Sequence, residues 1–220
     1  MRPRSTLVNR RRDRNYACCL YTVYAPTVAD PGDRYTRLVD SIHHEFSGFR
    51  VVRKDRSRLH RMIHHGLRLI TFGRMNAYLD SYQTTIGRTV YVTADWDELS
   101  PEYRYVTMCH ELIHIRQFRR YTLVGMALLY LLLPLPLGLA YFRARFEWEA
   151  YRETLRAAIE VHGVDHVRDA AYRENIITQF TGPAYGWMWP FRRQVEGWYD
   201  AAVTALAGSA TRDDPEGSEP

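Results

Sequence analysis

Residues 100–119 read SPEYRYVTMCHELIHIRQFR, a stretch that carries the start and the inner face of one helix. Ser100 is a good N-cap, Pro101 suits the first helical position, and Glu102 adds charge that favours the first turn. The pattern predicts a helix from about 101 to 119. On it His110 and His114 are four apart and lie one above the other, with Glu111 beside them. Met108, Leu112 and Ile115 point elsewhere and can anchor the helix in a core.

The spacing is HExxH, and its chemistry is specific. Two neutral imidazoles one turn apart can bind Zn2+, while the adjacent carboxylate stays free to take a proton from a metal-activated water. A site of this kind needs a third protein ligand. Downstream lies RARFEWEAYRETLRAAIE, 143–160, strongly helical, which offers Glu147, Glu149 and Glu153. Residues two apart on a helix point about 200° away from one another. Glu149 shares its face with Arg152, Glu153, Arg156 and Glu160, an alternating-charge stripe suited to water. Glu147 shares its face with Ala150, Tyr151, Thr154 and Ala158, a stripe that should be buried. A carboxylate on a buried face needs a partner, and a metal is one. Glu147 is therefore the expected third ligand.

With HExxH followed by FEWEAY (146–151), residues 86–160 resemble the gluzincin metallopeptidases. The likeness is closest to the branch of the CAAX prenyl proteases and HtpX-type proteases, where the first Glu of a phrase like FExxAD binds zinc. That maps Glu147 to the ligand and Ala150 to a small packing residue. Tyr151 stands where the family has Asp, the group that orients a ligand histidine. The resemblance implies an α+β, predominantly helical, zincin-like domain over 16–206, with a small sheet beside the HExxH helix. It also implies that substrate backbone pairs with the strand before that helix, here RTVYVT: Arg88, Thr89, Val90, Tyr91, Val92 and Thr93. A donor for the developing oxyanion is expected as well. Tyr151, His162, His166 and Tyr185 are all candidates, and the sequence does not choose among them.

Between the ligands runs YTLVGMALLYLLLPLPLGLAYF, 121–142, with no charged residue. It is long enough for one crossing of a bilayer, about 20 residues. A single crossing would leave His110 and His114 on one side and Glu147 on the other, so no site could close. Two crossings need about 40 residues. Pro134 and Pro136 break the segment near its middle. The expectation is an apolar helical hairpin: packed on the protein's own core, buried in a homodimer, or dipped monotopically into an anionic membrane. Arg116, Arg119, Arg120, Arg143 and Arg145 bracket it and suit anionic headgroups.

The remaining sequence is less specific. TTIGRTVYVT, 84–93, gives a Gly87 break followed by a short strand. RYTRLVDSIHHEF (34–46), RSRLHRMIHHGLRLITFGRM (56–75) and VDHVRDAAYRENIITQF (164–180) read as helices. His60 and His64 are four apart, but no carboxylate follows the first and the flanking arginines suit a solvated face; His43 with His44 does not read as a metal site either. Three cysteines make no CxxC pair, no secretory signal is readable, and a cytoplasmic location, peripheral at the membrane's inner face, is the expectation. Residues 1–15 read as a flexible basic arm and 207–220 as a disordered acidic tail. The net charge of +5 comes almost wholly from arginine, which alone does not point to nucleic acid.

The functional expectation is a zinc metallopeptidase acting on a peptide or protein. His110, His114 and Glu147 would hold the ion, with Glu111 as general base. The alternative is a catalytically inactive zincin scaffold that binds a membrane or a partner protein.

Overall fold

A computed structural model describes residues 31–56, 83–129, 140–182 and 188–210. The expected helix over 56–75, the basic arm, the tip of the apolar hairpin, residues 211–220 and the pairs His60/His64 and Trp187/Tyr185 lie outside the described residues, apart from Arg56 at the edge of the first.

The described chain is predominantly helical with one small sheet, an α+β arrangement. In order it runs α1 (Pro31–Glu45), β1 (Arg50–Arg53), β2 (Thr84–Ile86), β3 (Thr89–Val92), α2 (Pro101–Ala127), α3 (Tyr141–His162), α4 (Val164–Arg168), α5 (Ala170–Thr181) and α6 (Arg192–Ala210). The helix α6 reaches Ala210, so it takes in the first residues of the expected tail.

The single strand expected after Gly87 is the second limb of a hairpin. Gly87 sits at φ 62° in a two-residue turn, where a side chain would be strained, and β2 pairs antiparallel with β3 through Thr85↔Val90. A third strand, β1, pairs parallel with β3 through Val51↔Val90 and Val52↔Tyr91. The order is β1-β3-β2.

The helix α2 begins as its sequence dictates. Ser100 Oγ accepts the Tyr103 N–H at 3.2 Å, and Pro101 occupies the first turn. It does not stop near 119. It continues to Ala127 through a kink at Thr122, whose φ of 62° interrupts the helical path. Leucine-rich sequence beyond the kink restarts the helix, and Thr122 Oγ1 accepts the Gly125 N–H at 3.3 Å as a local cap. Of the expected hairpin over 121–142, the described residues are the far end of α2 and the first residues of α3. The helix expected over 164–180 is two, because Asp169 leaves helical geometry and its Oδ1 caps Tyr172 N–H at 2.9 Å.

Two cores flank the α2–α3 pair. Ile42, Phe46, Phe49, Val90, Val92 and Trp96 pack on Met108, Leu112 and Ile115 of α2. On the other side Ala144, Leu155 and Ala158 of α3 pack with Phe180, Val195 and Tyr199. The inner faces of α2 and α3 meet between these cores, which positions the site.

Candidate metal centre

The helices α2 and α3 run antiparallel, so Tyr105 meets Glu160 near one end and Gln117 meets Phe146 near the other. Between these contacts His110, His114 and Glu147 converge. His110 Nε2 lies 3.2 Å from His114 Nε2, and Glu147 Oε2 lies 3.6 Å and 3.7 Å from the two ring nitrogens. A point equidistant from the three atoms would be about 2.0 Å from each, the length of a Zn–N or Zn–O bond. Glu147 is 3% exposed, as the helix-face reasoning requires, whereas the Glu149 side chain is 44% exposed.

The outer nitrogens of both histidines are held so that the inner ones face the centre. Thr154 donates its hydroxyl to the Ala150 carbonyl at 3.2 Å, so its oxygen is left to accept from His110 Nδ1 at 3.0 Å. Gln117 spends its amide hydrogens on the Phe146 carbonyl at 3.1 Å and on Glu149 Oε2 at 3.0 Å. That orients the amide, and its Oε1 accepts from His114 Nδ1 at 2.9 Å. With a proton on each Nδ1, each Nε2 presents a lone pair inward, the tautomer a ligand histidine needs.

Two lone pairs 3.2 Å apart beside a buried carboxylate call for positive charge between them. Without an ion, a proton supplies it. Burial alone would lower the His114 pKa, but the Glu147 charge and hydrogen bond, with Glu111 and Gln117, raise it to about 9. Burial would raise the Glu147 pKa, and the two histidines, His114 foremost, bring it well below the usual carboxylate range. Two imidazoles and a carboxylate whose charges balance only around a cation fit a divalent metal. The set matches the two-histidine, one-glutamate donors of catalytic zinc, which leave a coordination position free.

Glu111 is 5% exposed and takes a hydrogen bond from Thr85 Oγ1 at 2.6 Å. Thr85 belongs to β2, the strand lying against α2. This placement corrects the expected substrate strand. Residues Thr89, Val90, Tyr91 and Val92 form β3, the central strand, and both of its edges are already paired. No peptide can add to it. Arg88 lies in the turn and donates to the Ser47 carbonyl at 2.8 Å. Among the described residues, the edge that faces the site and lacks a neighbour is β2.

Of the other candidates, Tyr151 stands edge-on to the His110 ring, centroids 4.9 Å apart, and also touches Phe180. The hydrogen bond to His110 belongs to Thr154. His162 and His166 pack on each other at the far end of α3, with His166 against Tyr172. His162 is fifteen residues beyond Glu147, about 22 Å of helical rise, so neither reaches the centre. Cys109 is buried and its thiol is pushed up to about 12, first by burial and then by Glu153, which makes it a packing residue rather than a nucleophile. Gln117, Thr154 and Thr85 were not singled out as site residues from the sequence. Gln117 had a signal, one turn after His114, and Thr154 shares the buried stripe of Glu147; Thr85 had none.

Compared with family models, curated proteins and solved structures, the chain matches none.

Proposed function

We propose that this chain is a zinc-dependent metallopeptidase of the gluzincin kind. The observation that carries the proposal is the convergence of His110, His114 and Glu147 from two antiparallel helices, with Glu111 next to the first ligand. The small sheet lying beside the HExxH helix, and the second helix supplying the glutamate, also support a zincin-like domain.

Bound at this centre, zinc supplies a Lewis acid that acidifies water and polarises a peptide carbonyl. The chain's own residues do the rest. Thr154 and Gln117 each hold a proton on Nδ1, so that Nε2 of His110 and of His114 is aimed at the centre. Glu111 accepts a proton on a carboxylate oxygen and returns it to the leaving amine. Thr85 holds one Glu111 oxygen, which fixes the direction of the other. The edge of β2 offers backbone N–H and C=O groups to an extended peptide, close to the Glu111 carboxylate.

The deciding experiment pairs metal analysis with proteolysis. The purified chain should carry about one zinc, lost in His110→Ala, His114→Ala or Glu147→Ala. It should cleave members of a broad peptide library, and Glu111→Gln should abolish cleavage with zinc retained, because an amide cannot take the proton. Zinc retained with no Glu111-dependent cleavage would instead mark an inactive scaffold. Protein free of transition metal would sink the proposal.

A further inference from the structure

Six large hydrophobic residues are conspicuously exposed among the described ones, and five of them share one end of the molecule. Leu123 (58%), Val124 (69%) and Leu128 (48%) lie on the arm of α2 beyond the Thr122 kink, Tyr141 starts α3, and Phe191 precedes α6. Ring contacts join these elements: Tyr121 to Phe146 at 5.1 Å, Tyr141 to Trp189 at 6.1 Å, and Trp189 to Phe191 at 5.7 Å. On the arm, Met126 is buried, while Leu123, Val124 and Leu128 are exposed.

The surroundings of this patch are cationic. No charged residue occurs in 121–142, and five arginines bracket the segment. Glu45 engages Arg116 and Arg119, and Glu149 lies 3.9 Å from Arg145. Against these two carboxylates, Arg116, Arg119, Arg120 and Arg145 alone leave the rim in net positive charge. The exposed Arg120 stacks its guanidinium on the Tyr121 ring at 5.2 Å.

We propose that this end of the molecule rests on an anionic lipid surface. Leu123, Val124 and Leu128 enter the acyl region, Tyr141 sits at headgroup level, and Arg120 meets lipid phosphates. No helix among the described residues is long and apolar enough to cross a bilayer. Charge separates lipid from a second copy of the chain as the occupant. Pairing two such ends would bring two arginine rims together, whereas anionic headgroups neutralise one. Tyrosine and tryptophan beside the patch suit the same interface. Lipid binding at this end does not depend on peptidase activity.

The test is co-sedimentation of the full chain with phosphatidylglycerol–phosphatidylcholine vesicles and with phosphatidylcholine alone. The chain should pellet with the anionic vesicles and be released in part by high salt. The variant L123S/V124S/L128S should bind at least about tenfold less, and Arg120→Gln about fivefold less. Tyr103→Ser, which alters the sixth exposed residue on the first turn of α2, should bind as the parent does. Circular dichroism on each variant reports whether it folds, and Arg120→Gln serves should the triple variant not. A parent chain that never pellets, or a triple variant that binds equally, overturns the proposal. So does a concentration-dependent dimer that the triple variant dissolves, which would give the patch to a second copy.

Discussion

Gln117 Oε1 accepts the Nδ1–H of His114 at 2.9 Å, while the same amide donates to the Phe146 carbonyl and to Glu149 on the facing helix. One side chain therefore sets the tautomer of a ligand and ties α2 to α3 at that level. Replacing it with alanine removes both. Gln117→Ala should weaken metal binding ten- to 100-fold, in the range of lost ligand-orienting contacts. It should also cost about 1–3 kcal/mol of stability through the unsatisfied carbonyl. Glu149→Ala should do much less, since that carboxylate is half in solvent. A chelator competition that ranks Gln117→Ala with the parent chain would disprove the orienting role.

The buried His114–Glu147 pair makes the stability of the metal-free chain depend on pH. The His114 pKa is raised to about 9, so its contribution is fully present below the unfolded value near 6.5 and is lost as pH rises through about 9. The Glu147 pKa is lowered, so its contribution is present above the unfolded value near 4.5 and lost as pH falls through the native one. The chelated protein should therefore be most stable between roughly pH 4.5 and 6.5 as far as this pair is concerned, and should weaken from pH 7 upward. The metal-loaded chain should not weaken over that alkaline range, because an ion replaces the proton. Denaturant titrations of both forms at neutral and alkaline pH make the comparison; parallel profiles would refute it.

The features legible in the sequence were those set by local periodicity. The Ser100 cap and the inward Met108, Leu112 and Ile115 follow from one helix's own residues. So do the burial of Glu147 and the exposure of Glu149, since residues two apart on a helix point nearly opposite ways. What stayed hidden depends on distant partners. The parallel pairing of β1 with β3 joins residues about forty apart, and it is this pairing that makes β3 central and leaves β2, among the described residues, as the edge strand beside the site. The Thr85–Glu111 bond joins residues 26 apart, and nothing near Thr85 marks it. The break at Asp169 was readable in principle, since Asp ahead of Ala170 and Ala171 is an N-cap signal that apolar periodicity overrode.

Thr122 has φ 62° and ψ 168°, a conformation that a β-branched residue adopts only under strain. Its hydroxyl offsets part of that cost by capping Gly125. Thr122→Gly removes the strain, loses the cap and adds unfolded-state freedom, for a net gain of up to about 1 kcal/mol. Thr122→Ala keeps the strain and loses the cap, so it should be the less stable of the two. Thermal unfolding of both variants checks the order. Alanine matching or exceeding glycine would mean that the kink is not strained.

Thr85 supplies the last test, because it touches the base and not the metal. Its hydroxyl donates to Glu111 Oε2 at 2.6 Å from the strand edge proposed for substrate. Valine keeps the shape but leaves a buried carboxylate oxygen without its donor and free to rotate. Thr85→Val should lower kcat by about tenfold or more, the scale of a mispositioned proton acceptor. Zinc content should not change, since Thr85 contacts no ligand among the described bonds. Thr85→Ser restores the donor and should recover most of the activity, while valine should not be rescued by added zinc. Were Thr85→Val to lose zinc, the residue would be part of the scaffold holding the centre. Were it to keep full turnover, Glu111 would be positioned by something else.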